Sequence, residues 1–247
     1  MFKLYPIFFS MILFSFATQI NADDSAQMKN DSQKDRPVEA LLKERANKSG
    51  MTGATAFKDS TQKGFEELIQ SGITKTALQV GDKMPSFVLP DAHNKLVKSD
   101  DLLKNGALVI VFYRGLWCPY CNLYLNALEG YLPDFKSLEA SLVAISGEPP
   151  DRSLEVEIKD SLTYPVLSDT ALIASNKFGI VYEVPSSIND VFLSRGFDFK
   201  RYYNTEKAEL PLSATFVVNK EGIIIYTFLE IDYKLRAEPS DIIEALK

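Results

Sequence analysis

Two cysteines, Cys118 and Cys121, lie three residues apart and are the only cysteines in the chain. They follow a seven-residue apolar run at 107–113 and a short break at 114–116, and an amphipathic stretch comes after them. This order predicts a buried strand, a tight turn, two thiols and a helix. A strand that delivers a C-x-x-C pair to the N-terminus of a helix is typical of thiol–disulfide chemistry.

Composition narrows the class of protein further. The 247 residues are 46% hydrophobic, which predicts one globular domain with extensions. The net charge of −6 comes without any large basic block, so nucleic-acid binding has little electrostatic support. His93 is the only histidine and lies in a predicted turn. A Cys/His zinc site or a Cys–His dyad therefore lacks ligands, and we predict no metal and no cofactor.

Residues 1–22 are typical of a secretory signal peptide. Lys3 is their only charge, an apolar core runs from Phe8 to Phe16, and Ala22 offers a cleavage site. The core is shorter than the roughly 20 residues of a membrane span, so we predict a secreted or periplasmic protein without stable membrane insertion after processing. Disulfides persist in such oxidising compartments. A C-x-x-C bridge closes a loop too short to stabilise the fold much, which favours a redox role.

The chain divides into three predicted parts: a signal peptide at 1–22, a linker and N-terminal helical extension at 23–77, and a domain at 78–247. In the extension, apolar residues recur at helical spacing around Val38 and around Phe65, with a break at 49–53 between them. These two helices could serve internal packing or the contact of a homodimer, and the sequence leaves both open.

The domain predicts an α/β fold with a mixed sheet. Strands are expected near 87–90, 107–113, 142–145, 165–167, 214–218 and 223–226. Helices are expected after Cys118, near 151–162 and 170–178, and from Pro239 to the end. The order predicts parallel strands with crossover helices, then an antiparallel hairpin. The polar and aromatic residues 186–209 have no clear period and are interpreted as an inserted excursion.

Residues 78–247 resemble the thioredoxin-fold superfamily, and within it the peroxiredoxins of the alkyl hydroperoxide reductase/thiol-specific antioxidant type. The resemblance rests on the opening Val-Gly-Asp-Lys-Met-Pro-Ser-Phe at 80–87, the strand Val-Ile-Val-Phe-Tyr at 109–113, and the hairpin Ala-Thr-Phe-Val-Val-Asn-Lys-Glu-Gly at 214–222. It implies a central mixed sheet flanked by helices, preceded here by the helical extension.

The resemblance implies a role for each cysteine. Peroxiredoxins read Pro-x-x-x-Thr-x-x-Cys after the Phe-Tyr pair, and this chain has Arg114, Cys118 and Cys121 at those spacings. In that register Cys121 attacks the peroxide, and Cys118 replaces the threonine that helps to hold it. The family's peroxide-polarising arginine falls near Ser213, where this chain has none, and Arg114 is the candidate substitute.

A second register remains open, in which Trp-Cys-x-x-Cys is read as in thioredoxins. Cys118 would then attack and Cys121 would resolve, and Ser213 would occupy the place of the family's cis-proline. The end of the helix and the charge of Arg114 both favour a Cys118 thiolate electrostatically. Trp117 and Tyr120 are interpreted as core residues that also shield the thiols or contact a substrate.

The favoured function is a thiol-dependent peroxidase that reduces hydrogen peroxide or organic hydroperoxides and is regenerated by an external dithiol, such as a thioredoxin-like protein. One alternative is a thiol–disulfide oxidoreductase that acts on exported proteins. Another is a redox-inactive binding module that uses 186–209 and the N-terminal helices as its surface. The candidate site comprises Cys118 and Cys121, with Arg114, Trp117, Tyr120 and Ser213 around the substrate.

Overall fold

The computed structural model describes residues 36–48 and 54–247. The predicted signal peptide, the start of the linker and the predicted break at 49–53 lie outside the described residues. Residues from Arg36 to Lys247 belong to one compact unit. The domain limit at residue 78 stays a prediction.

Strands and helices alternate over most of the described chain. The strands are β1 Val88–Pro90, β2 Leu96–Lys98, β3 Ala107–Phe112, β4 Ala140–Ser146, β5 Val166–Ser168, β6 Val181–Glu183, β7 Glu209–Pro211, β8 Ser213–Val218 and β9 Ile224–Glu230. The helices are α1 Pro37–Lys48, α2 Ala54–Ser71, α3 Ile73–Thr76, α4 Ser99–Leu103, α5 Pro119–Glu129, α6 Leu132–Ser137, α7 Pro150–Asp160, α8 Ile173–Lys177, α9 Ser186–Ser194, α10 Phe199–Tyr203 and α11 Pro239–Leu246. Across the described ranges, each helix is too short or too polar to traverse a bilayer.

A five-stranded mixed sheet in the order β5-β4-β3-β8-β9 forms the centre of the fold. Strands β3, β4 and β5 run parallel, whereas β8 pairs antiparallel with β3 and β9 pairs antiparallel with β8. This confirms the predicted thioredoxin-type sheet with its terminal hairpin. Smaller two-stranded sheets are formed by β1 with β2 and by β6 with β7.

Strand β3 lies in the middle of the sheet and is buried on both faces, as its unbroken apolar run predicts. Side chains alternate across a strand, so Val109 and Val111 face one core cluster while Ile110 and Phe112 face the other. Both cysteines belong to the cluster of Val109 and Val111. The strand therefore ends directly at the candidate site.

Helices α1 and α2 confirm the helical extension predicted around Val38 and Phe65. Helix α1 packs on α5, and its Val38 and Leu42 are buried in the same core cluster as the two cysteines. The first part of the extension thus covers the helix that carries the thiols.

The excursion at 186–209 is more regular than its sequence suggests. It contains α9 and α10, and it returns to the sheet through β7. Its buried side chains form a separate small cluster that Trp117 touches. Helix α9 packs on α2, and aromatic side chains of the excursion pack against Trp117 in the loop before α5.

Candidate active site

The thiols lie where the strand-turn-helix prediction places them. Cys118 is the residue directly before α5, and Pro119 begins that helix, a position that proline favours because its missing N–H would have no partner there. Cys121 follows in the first turn of α5. The Asn122 side chain donates to the carbonyl of Leu116 at 2.9 Å and so ties the helix back to the preceding loop.

Both thiols are buried and unoxidised, with 1% of Cys118 and none of Cys121 exposed. Burial raises the pKa of Cys118, and its thiol remains a donor to the sulfur of Cys121. Burial alone would also raise the pKa of Cys121. The hydrogen bond from Cys118 and the charges of Arg236 and Arg114 outweigh that effect and lower it. The electrostatics of the folded site thus favour a thiolate on Cys121, and the helix-end effect expected for Cys118 is overridden by burial.

Arg236 makes the direct contact with the nucleophile candidate. Its Nη2 donates to Cys121 Sγ at 3.2 Å. Its Nη1 donates to the backbone carbonyl of Leu235 at 2.6 Å and to that of Tyr233. The guanidinium is only 6% exposed, so its charge acts on the sulfur with little screening by solvent.

Arg114 is held on the other side by two aromatic rings. Its Cζ lies 4.5 Å from the ring centroid of Trp117 and 4.2 Å from that of Tyr233. Cation–π contacts of this kind strengthen when they are desolvated, and Arg114 is buried. Arg114 therefore carries a buried charge that acts on the cysteine pair, and its role as the substitute for the family's arginine stays a prediction.

Each of the two guanidinium groups has an Nε–H donor that is not used by the described residues. The Nε atoms of Arg114 and Arg236 are buried and lack a hydrogen-bond partner anywhere in the described part of the chain. A buried donor without a partner carries a free-energy penalty that a small oxygen-containing ligand can remove. The site can thus offer two N–H groups near a sulfur whose pKa the surroundings lower.

Trp117 fixes the loop between β3 and α5. Its Nε1 donates to Tyr203 Oη at 2.7 Å, and that hydroxyl donates to the carbonyl of Arg114. The indole also packs against three phenylalanines of the excursion, namely Phe192, Phe197 and Phe199. The indole is half-buried over the loop, and its predicted role in shielding the thiols or contacting a substrate stays a prediction.

The remaining two predicted site residues differ in their placement. Tyr120 is buried and packs edge-on against Tyr233, with ring centroids 5.7 Å apart. It therefore supports the ring that stacks on Arg114. Ser213 is buried at the start of β8, and its hydroxyl forms no hydrogen bond within the described residues. No hydrogen bond thus joins Ser213 to the cysteine pair.

Three residues of the site escaped the sequence reasoning: Arg236, Glu148 and Tyr203. Glu148 had a usable signal, because it follows β4, the parallel neighbour of β3, and the carboxyl ends of such strands share one sheet edge. Arg236 and Tyr203 had none, since each reaches the site through a connection of more than eighty residues.

The central sheet and the adjoining dithiol define a thioredoxin-fold thiol protein, and comparison with known proteins gives the family. Residues 80–227 match the AhpC/TSA family. A protein of Mycobacterium tuberculosis named as a peroxiredoxin is 33% identical over 62% of this chain and 87% of its own. The bcp protein of Buchnera aphidicola, also named as a peroxiredoxin, is 28% identical over 64% of this chain and 89% of its own. The chain belongs to the AhpC/TSA family and is a peroxiredoxin-type oxidoreductase.

Solved structures agree on the fold. The peroxidoxin BcpB of Mycobacterium tuberculosis superposes with a TM-score of 0.54 at 20% identity, over 68% of this chain and 96% of that chain. The family match begins at residue 80 and so leaves out the helical extension.

Proposed function

We propose that this peroxiredoxin-type protein reduces hydrogen peroxide or organic hydroperoxides with Cys121 as the attacking thiol and Cys118 as the resolving thiol. The observation that carries the proposal is the 3.2 Å hydrogen bond from Arg236 Nη2 to Cys121 Sγ. It supports a thiolate at Cys121, which is the reactive form of cysteine.

The proposed cycle has three steps. The Cys121 thiolate attacks one oxygen of a hydroperoxide, the O–O bond breaks, and the products are a sulfenic acid and an alkoxide or hydroxide that takes a proton from water. The Cys118 thiol then condenses with the sulfenic acid, which forms the disulfide and releases water. An external dithiol reduces the disulfide by exchange and is itself oxidised.

The two unpartnered Nε–H groups give the peroxide a place beside the sulfur. A guanidinium that donates to the leaving oxygen stabilises the negative charge that develops there as the O–O bond breaks. Arg114 and Arg236 together take the role of the family arginine that is absent near Ser213. Both thiols are almost wholly buried, which favours a small peroxide over a protein disulfide as the first substrate.

One set of variants tests this function. Reduced wild type, Cys118→Ser and Cys121→Ser are each mixed with substoichiometric hydrogen peroxide, and free thiols are counted by mass spectrometry. We expect fast oxidation in wild type and in Cys118→Ser, and slow oxidation in Cys121→Ser. Slow oxidation in all three, with rapid reduction of a model protein disulfide, would favour the thiol–disulfide oxidoreductase. Inertness in both assays would favour a binding module.

We also propose that the protein is exported by residues 1–22 and works in a secreted or periplasmic setting. The composition of that segment supports this, and fractionation of cells that express the full chain tests it. A thioredoxin-like dithiol is the proposed reductant because its two thiols can resolve the mixed disulfide. A homodimer through the helical extension remains a prediction that sedimentation can test.

A further inference from the structure

Glu148 is a buried carboxylate at the edge of the site. It follows β4 directly, and none of its surface is exposed. Because β4 is the parallel neighbour of β3, Glu148 emerges at the same sheet edge as the loop that leads to the cysteines. That loop runs from Tyr113 to Trp117.

The carboxylate binds the loop and the excursion at the same time. The backbone N–H of Leu116 donates to both of its oxygens, at 2.9 Å to Oε1 and 3.0 Å to Oε2. The Tyr202 hydroxyl, from α10, donates to Oε1 at 2.7 Å. The Ser146 hydroxyl lies 3.5 Å from Oε2. One side chain thus joins two segments that are far apart in sequence.

The neighbouring residue of α10 completes the connection. The Tyr203 hydroxyl donates to the carbonyl of Arg114, so Tyr203 binds the loop directly while the adjacent Tyr202 binds it through Glu148. The loop lies so close to the carboxylate that a Cβ at Gly115 would be 2.8 Å from Glu148 Oε1. A small displacement of Glu148 would therefore move the backbone that carries Arg114.

Burying the Glu148 carboxylate costs free energy, and no ion pair with another residue in the described ranges offsets that cost. Burial raises the pKa of Glu148 to about 7, although the hydrogen bonds from Tyr202 and Leu116 lower it and the charge of Cys121 raises it. The titratable and charged groups that face it come from the end of β3 and from α5, α7 and α10. They are Tyr113, Cys121, Arg152, Tyr202 and Tyr203.

We propose that Glu148 is a positioning residue for the peroxide reaction, whose carboxylate fastens the loop at 114–117 to the excursion and so holds Arg114 beside Cys121. The inference rests on the proposed attack by Cys121. It also gives the excursion a function: its two tyrosines form one side of the clamp, and Glu148 forms the other.

The test compares Glu148→Gln and Tyr202→Phe with Glu244→Gln, a change of the same type at an exposed carboxylate of α11. The rate of Cys121 oxidation by hydrogen peroxide and the rate of its alkylation by iodoacetamide are each measured from pH 5 to 9. Both cysteine variants of the preceding section identify the thiol, and an unfolding midpoint for each protein verifies the fold.

We expect the pH profiles of both wild-type rates to show a titration near neutral pH that is absent in Glu148→Gln. In Tyr202→Phe it should move to higher pH, because the lost hydroxyl favoured the ionised carboxylate. Peroxide oxidation should slow by about tenfold in Glu148→Gln, and Glu244→Gln should match wild type.

A folded Glu148→Gln protein with the wild-type profile and rate would overturn the inference. If that variant unfolds, an unmoved ionisation in Tyr202→Phe would overturn it instead. Alkylation separates this inference from the peroxidase proposal. If the wild-type protein resists peroxide but the alkylation profile shifts as expected in the variants, the peroxidase proposal is contradicted. The inference that Glu148 positions the loop beside the thiol would then still stand.

Discussion

At the scale of single residues, the chemistry depends on the positions of two arginines, Arg114 and Arg236, relative to the sulfur of Cys121. Arg236 binds Cys121 directly, and Arg114 is stacked between Trp117 and Tyr233. Each therefore reaches the thiolate from a fixed position and keeps one N–H free for a substrate. This arrangement differs from the family pattern, which places its arginine near Ser213.

Replacing Arg236 should move the reactivity of Cys121 to higher pH. Arg236→Gln removes a charge that favours the thiolate, so the pKa of Cys121 should rise and less thiolate is present at neutral pH. A hydrogen bond to a charged group contributes about 1.5–3 kcal/mol, so the pKa of Cys121 should rise from about 5 by roughly one to two units, and alkylation below the wild-type pKa should slow by roughly 10- to 100-fold. Stopped-flow alkylation from pH 4 to 9 measures the shift.

The matched control for that variant is Arg195→Gln, at an exposed arginine that stacks on Phe57. Its profile should equal that of wild type. An Arg236→Gln profile that coincides with the control would show that Arg236 does not stabilise the thiolate.

A second residue-scale prediction concerns Gly115, whose φ of +144° is unfavourable for other residues. In Gly115→Ala the new Cβ would also lie 2.8 Å from Glu148 Oε1 and from Tyr203 Oη. Backbone strain and overpacking together should lower the free energy of unfolding by about 3 kcal/mol. Urea unfolding of the reduced protein measures it.

Gly196→Ala is the control, because Gly196 also has positive φ (+79°) but has open space around its Cα. It should cost only the strain, about 1 kcal/mol. Equal costs at the two glycines would mean that the loop at 115 is not closely packed on the carboxylate.

The sequence predicts the residues of this site that are close to the thiols along the chain, and it misses the distant ones. Cys118, Cys121, Arg114 and Trp117 follow from one strand-turn-helix pattern. Arg236 comes from the segment after β9, and no local spacing connects it to the pair. A contact made only by tertiary folding leaves no periodic trace in the sequence.

At the scale of elements, the core strands and the hairpin were predictable because their hydrophobic patterns are strong and uninterrupted. The excursion was not, since tertiary contacts hold it: α9 packs on α2, and aromatic contacts and a hydrogen bond join the excursion to Trp117. The helix after the cysteines ends at Glu129, before the proline, and Pro133 lies in the first turn of α6.

Helix α1 offers an element-scale prediction. The side chain of Glu238 accepts from the backbone N–H groups of Val38 and Glu39, each at 3.0 Å, and so caps α1 from across the molecule. Losing such a cap costs about 1 kcal/mol or somewhat more. In Glu238→Ala the amides of α1 should exchange with solvent roughly 5- to 30-fold faster, as followed by hydrogen exchange and mass spectrometry.

Glu244→Ala controls for loss of a carboxylate on α11, because Glu244 is exposed and pairs only with Lys247. Exchange in α1 should stay at the wild-type rate there. If α1 exchanges equally fast in both variants, the carboxylate of Glu238 is not what fastens this helix to the domain.

At the scale of the whole molecule, three parts meet at one dithiol. The sheet supplies the cysteines through β3 and α5, the excursion clamps the loop between them, and the C-terminal segment supplies Arg236. Helix α1 covers α5 from outside. Each part restricts access or fixes charge, and together they favour a thiolate on Cys121 and a neutral thiol on Cys118.

The central claim is that peroxide oxidises Cys121 first. The direct measurement adds one equivalent of hydrogen peroxide to the reduced full-length Cys118→Ser protein in the presence of dimedone, and peptide mass spectrometry locates the adduct. We expect a stoichiometric sulfenic acid adduct on Cys121, and in wild type a Cys118–Cys121 disulfide in its place. An adduct on Cys118 in the Cys121→Ser protein, formed at the wild-type rate while Cys121 stays unmodified in Cys118→Ser, would contradict the claim.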